Sequence, residues 1–210
     1  MRRFLLITVG LALLATFIQP TPARTQIWGP NATAEMAYQG NETLSLFCLP
    51  DGTGDAFAEA YLQGGARADA TITLIINDWY GNPIAHFPAE DIWIASQDRG
   101  MVPCGNAAFA DADTDAAGET RWSRPLSAGG HSQTLCIVYI NGDALTSNGG
   151  LPLSFNSADI DGNGVVNLTD AGFFTSYLGG WSYAGDFNND GVVNISDAGM
   201  IAGSLGTSCP

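Results

Sequence analysis

Lysine is absent from this chain, and seven arginines are its whole complement of basic side chains against 21 acidic ones. The formal charge at neutral pH is −14, and cleavage of a leader carrying Arg2 and Arg3 would take it to −16. That balance excludes nucleic acid as a partner, because affinity for a phosphate backbone comes from clustered Lys and Arg that release counterions. Histidine is nearly absent too. His86 and His131 stand isolated beside turns, and they read as ordinary histidines, not as a base paired with a nucleophile. No two cysteines have the Cys-x-x-Cys spacing, which argues against zinc and thioredoxin-type chemistry. Beyond the first two dozen residues no apolar run is long enough to span a bilayer.

What the chain does have begins at its start. Met1-Arg2-Arg3, an apolar stretch from Phe4 to Ile18 and the small residues up to Ala23 form the pattern of a secretory signal peptide over residues 1–23. The mature protein is then expected to be secreted, in the extracellular space or at the cell surface, with no membrane span left. An exported chain with four cysteines, Cys48, Cys104, Cys136 and Cys209, suggests two disulfides. Three pairings are open. The favoured one joins Cys104 to Cys136 and Cys48 to Cys209, which would tie the C-terminal end back to the first domain.

Two stretches near the C-terminus are copies of each other. Asp159, Asp161, Asn163, Gly164, Val165, Asn167 and Asp170 recur, 27 residues on, as Asp186, Asn188, Asp190, Gly191, Val192, Asn194 and Asp197. Calcium takes six to eight oxygen ligands, and a twelve-residue EF-hand loop supplies them from positions 1, 3, 5, 7, 9 and 12, with glycine at 6 for the turn. Both copies fit, Val165 and Val192 offering backbone carbonyls. The closing residue is Asp170 or Asp197 where an EF-hand has a longer Glu. From residue 156 to 210 the only acids are the six at these positions, and no basic residue occurs. A merely solvated surface would scatter its carboxylates. Two bound calcium ions are therefore expected.

The duplicated loops, each leading into a short helical pattern over Leu168–Leu178 and Ile195–Leu205, resemble a type I dockerin, a calcium-binding module of secreted bacterial proteins. The resemblance covers residues 156–210. It implies a small all-α module that folds with calcium and docks onto a cohesin-type protein partner, with Thr169 and Ser196 at positions where such modules carry hydroxyl contacts. The Lys or Arg that usually follows along the helix is replaced here by Thr175-Ser176 and Ala202-Gly203. Phe174, Tyr177, Leu178, Ile201 and Leu205 are available for a shared core.

Residues 24–155 read as strands. Leu44, Leu46 and Cys48 alternate on one face, Ile72, Leu74 and Ile76 on another, and Asp91–Ala95, the segment after Gly118 and Leu135–Ile140 follow, with turn residues between them. Short strands at this spacing predict an antiparallel β-sandwich. The phrases Thr73–Ile84 and Thr114–Thr120 are similar to bacterial immunoglobulin-like domains of the invasin and intimin kind. Gly149–Leu153 is expected to be the last strand or a linker. The fold class is thus mainly β, an immunoglobulin-like sandwich followed by the small helical module.

Other candidate sites are weaker. Asp111, Asp113 and Asp115 alternate as in a calcium loop, but glycine falls at the eighth place and Trp122 at the twelfth, so a hairpin turn is expected. Glu90-Asp91 is at most half of a glycosidase pair. Trp93 and Trp122 are expected in the core and Trp28, Trp79 and Tyr80 under loops, although together they have the makings of a sugar-stacking face. No catalytic residue is assigned. The function read from the sequence is a secreted, non-catalytic, calcium-binding protein for protein–protein attachment. The alternative is an accessory carbohydrate-binding component of extracellular polysaccharide breakdown, and a small glycoside hydrolase ranks last.

Overall fold

The computed structural model describes residues 32–145 and 149–210. The expected signal peptide and Trp28 lie outside them. Twelve strands are described: β1 (Thr33–Met36), β2 (Leu44–Cys48), β3 (Ala60–Tyr61), β4 (Arg67–Ala68), β5 (Ile72–Ile75), β6 (Ile92–Ser96), β7 (Met101–Pro103), β8 (Glu119–Trp122), β9 (Ala128–Gly130), β10 (Cys136–Ile140), β11 (Asp143–Ala144) and β12 (Leu153–Ser157). Two helices follow, α1 (Leu168–Tyr177) and α2 (Ile195–Ser204). The protein is mainly β. Among the described residues the sheets have the orders β1-β5-β8, β11-β10-β6, β12-β2-β3-β4 and β7-β9.

Period-two alternation decides which side chains enter the first core. Ile72, Leu74 and Ile76 are fully buried while Thr73 and Ile75 between them are half-buried, and β6 and β10 repeat the pattern with Ile92 and Ile94, then Cys136, Val138 and Ile140. Trp122 on β8 is completely enclosed, its indole N–H donating to the carbonyl of Ala108 at 3.1 Å. Trp93 is different: on the outer face of β6, it is half-buried and stacks on Tyr139 across the ladder, ring centroids 5.5 Å apart.

The strands β2 and β12 break the alternation, because every residue of both is buried. Each face of their sheet meets a different core. Leu44, Leu46, Cys48, Leu153 and Phe155 belong to the first. Phe47, with Leu49 and Tyr61 nearby, belongs to a second, whose other members are Ala158, Ile160, Val166, Phe174, Ala184, Phe187, Val193 and Ile201 from the C-terminal segment. The sequence Leu-Ser-Phe-Asn-Ser of β12 looks half-exposed, yet its polar residues face a polar neighbourhood under cover. Ser154 donates to the Leu44 carbonyl at 2.8 Å, and Asn156 donates to the carbonyls of Tyr183 and Asp186.

Two expectations need correction. The β12–β2 pair is parallel, Leu153 opposite Leu44 through Ser157 opposite Cys48, so the strands are not all antiparallel; the long excursion between them supplies the crossover that parallel neighbours require. Leu178 and Leu205 are exposed at the ends of their helices instead of entering a shared core, which Phe174 and Ile201 fill.

Candidate metal centre

β12 runs directly into the first loop, and the two loops are built alike, except that the Asn194 amide also donates to Asp190 at 3.2 Å where Asn167 has no such bond. Asp159 receives the N–H groups of Asn163 and Gly164 on its two carboxylate oxygens at 3.1 and 2.9 Å; Asp186 receives those of Asp190 and Gly191 at 3.0 and 2.9 Å. Gly164 and Gly191 have φ of 87° and 94°, the left-handed conformation that glycine adopts without cost and that aims these N–H groups inward. Asp170 closes the first loop, one oxygen accepting from Ile160 at 2.9 Å and the other from Asn167 at 2.9 Å; Asp197 does the same with Phe187 at 2.8 Å and Asn194 at 2.9 Å.

Asn167 and Asn194 have a second task. Each is the N-cap of its helix, accepting from Thr169 or Ser196 at 2.7 Å, and each forms a capping box with the Asp three residues on. The same amides donate to the carbonyls of Val165 and Val192 at 3.2 Å. One set of residues thus shapes the loop and starts the helix, which offsets the cost of glycines at 172, 199 and 203 in helix interiors.

The loops also hold each other. Val166 pairs with Gly206 and Thr207, which follow α2, and Val193 pairs with Gly179 and Gly180, which follow α1. The duplication in sequence is therefore a pseudo-twofold in space, each loop closed by the segment that leaves the other helix.

Carboxylate oxygens of Asp159, Asp161 and Asp170 lie within 4.8 Å of one another. That separation suits ligands 2.3–2.6 Å from a common cation. In the second loop Asn188 takes the third position, and Asp186, Asp190 and Asp197 carry the acid. Asp159, Asp170, Asp186 and Asp197 are all buried, at 0–1% exposure. Among the described residues the salt bridges are Arg67 to Asp55 and Arg124 to Asp111, so no loop carboxylate has an ionic partner among them. Burial pushes the Asp159 carboxyl up from its ordinary value, with Asp170 and Asp161 adding to the effect, and burial with Asp197 and Asp190 does the same to Asp186. Converging buried carboxylates with no counter-charge are costly; a hard divalent cation is the group that this donor set fits.

The site is set into the β structure. The Asp159 carbonyl accepts from Gly130 at 2.7 Å, and a Cβ placed on Gly129 would lie 1.9 Å from the Asp159 carboxylate. Gly64, in the turn between β3 and β4, donates to Asn189 at 2.8 Å. Phe47 of β2 meets Phe187 with ring centroids 5.5 Å apart, and Phe187 stacks on Phe174. Gly129, Asn156, Tyr183 and Phe47 were not singled out in the sequence. None of them lies in a motif.

Cys209 pairs with Cys104, in the loop after β7, across 105 residues of chain. Cys48 and Cys136 are buried free thiols, so the favoured pairing of Cys104 with Cys136 and Cys48 with Cys209 is not the one adopted. Both free thiols belong to the first core, from β2 and β10, apart from the bonded pair. At the third acidic run, Asp111 holds Ser123, Asp113 holds the N–H of Ala89 and Asp115 holds those of Ala117 and Glu119. Asp115 braces its own turn, while Asp111 and Asp113 tie the run to other segments.

Comparison of the chain with family models, with curated proteins and with solved structures found no match. Among the described residues no helix is long and apolar enough to cross a membrane.

Proposed function

We propose that this is a secreted, non-catalytic calcium-binding protein in which an immunoglobulin-like sandwich carries a type I dockerin-like module, with two calcium ions in the duplicated loops, and that the module attaches the chain to a cohesin-type protein partner. The observation that carries the reading is the repetition of two acidic loops whose first and last carboxylates are buried with no counter-charge among the described residues. Asp159, Asp161, Asn163, Asp170 and the Val165 carbonyl are the first ion's donors, and Asp186, Asn188, Asp190, Asp197 and the Val192 carbonyl the second's. Asn167 and Asn194, occupied as helix caps, act at position 9 through water.

Attachment draws support from the first turns of the helices. Leu168 and Ile195 occupy the same place in each copy and are 82% and 83% exposed, next to Thr169 and Ser196. Large apolar side chains at that exposure, repeated by symmetry, suit a protein partner.

Titration calorimetry of chelator-treated protein should give two calcium ions per chain. At free calcium about a hundred times the dissociation constant, each site adds roughly 2.7 kcal/mol to stability. Asp159→Ala with Asp186→Ala should remove both ions. No uptake at millimolar calcium would refute the metal sites. Two ions, with no retention of a type I cohesin that Leu168→Asp and Ile195→Asp can abolish, would leave calcium binding intact and remove the attachment.

A further inference from the structure

A cleft opens where the second loop lies against the β structure, with a cavity volume of about 440 Å³. Asn41 from the β1–β2 connection, Gln63 from the β3–β4 turn, Gln133 before β10 and Asn189 from the second loop line it, with Tyr183 in its wall and Trp181 at the rim. Trp181 is 66% exposed. Tyr183 is fixed, its hydroxyl 2.8 Å from that of Ser45. The four amide side chains, by contrast, make no hydrogen bond to any described residue.

We propose that this cleft binds a neutral carbohydrate chain. Four amides from four separate segments, each with a free donor and a free acceptor, match a ligand that carries both on every ring. The exposed indole offers a flat apolar surface to the C–H face of a sugar, and the immobile Tyr183 closes the inner side. The acids at the cleft, Glu42 and Asp186, come with no Arg. The exposed Glu42 accepts hydrogen bonds from hydroxyls and repels uronates and sulfated glycans, whereas the buried Asp186 carboxylate is committed to its own loop. A small apolar ligand finds few contacts here, because a typical site for one is lined mainly by hydrophobic side chains. The proposal rests on the calcium reading in one respect: the second loop forms a wall, so an emptied loop loosens the cleft.

Affinity electrophoresis of the calcium-loaded protein through gels containing hydroxyethylcellulose, mixed-linkage β-glucan, galactomannan, arabinoxylan or, as the acidic control, polygalacturonate tests the site. At least one neutral polymer should retard the protein and polygalacturonate should not. Trp181→Ala, an exposed position that leaves the fold intact, should weaken retardation at least tenfold, and Gln63→Ala with Gln133→Ala comparably. Trp79→Ala with Tyr80→Ala, the other exposed aromatic pair, should change nothing. Retardation by none of the neutral polymers, retardation that survives Trp181→Ala, or retardation that instead depends on Trp79 and Tyr80 overturns the proposal. Calcium uptake by the same samples is read separately. Two ions with no retardation refute the cleft alone, and Trp181-dependent retardation with no ions refutes the calcium reading alone.

Discussion

Gly129 shows how little room the first acidic loop is given. It sits in the middle of β9 with an unremarkable backbone, so alanine is allowed there by conformation and forbidden by its neighbour, the Asp159 carboxylate 1.9 Å from where the new methyl would stand. Either β9 or the loop must move. Overpacking of this kind costs about 1–3 kcal/mol. Gly129→Ala should lower the melting temperature and cut the number of calcium ions from two to one, since the second loop is untouched. The matching change at Gly172, where nothing lies within 4 Å of an added Cβ, should be neutral or mildly stabilising, as Gly→Ala is in a helix. Calorimetry of the two variants side by side separates contact from propensity; equal effects would show that the close approach to Asp159 is of no consequence.

The elements were legible to different depths. Helices α1 and α2 follow from the duplicated Asn-x-x-Asp, because an N-cap and its reciprocal N3 acid declare a helix start in four residues. Strand β5 follows from alternation, and β6 and β10 from short apolar runs between turn residues. β12 does not, since its serines and asparagine are covered by a partner element that only the three-dimensional pairing reveals, and neither does the disulfide. Pairing of cysteines depends on which loops meet, and Cys104 meets Cys209 because the C-terminal tail folds back along the first loop, Val166 bonding to Thr207 and Gly164 to Cys209. Burial pushes the thiols of Cys48 and Cys136 far up from their ordinary value, Asp55 adding to the effect at Cys48, so both are inert in the native state. An aromatic disulfide reagent should find no thiol in the folded protein and two in denaturant; four, or none, in denaturant would contradict the pairing. Cys209→Ser, which opens a closure of 105 residues, should cost about 2–5 kcal/mol.

For the whole molecule the governing fact is negative charge gathered under cover. Asp159 and Asp186 are raised in the folded state. A carboxyl whose folded value exceeds its unfolded one, about 3.9 for Asp, contributes stability below the unfolded value and loses it as pH climbs through the folded one. Metal-free protein should therefore melt higher at pH 5 than at pH 7, and relief of the overall charge of −14 works in the same direction. Calcium reverses the trend, because ligands must be ionised to bind. The melting temperature with saturating calcium should fall on acidification, and the gap between the two curves should narrow. A gap that is constant from pH 7 to pH 5 would take calcium away from these carboxylates.

The parallel seam between β12 and β2 gives the chain a mechanical character. A load applied to the C-terminal module and resisted by the β structure would run along β12, whose rungs to β2 lie side by side across the pull and must give way together, not peel singly as in a hairpin drawn from its open end. Beyond the seam, the covalent link from Cys104 to Cys209 offers tension a second route that bypasses both calcium loops. A chain built this way is suited to hold under traction even when its metal has been lost.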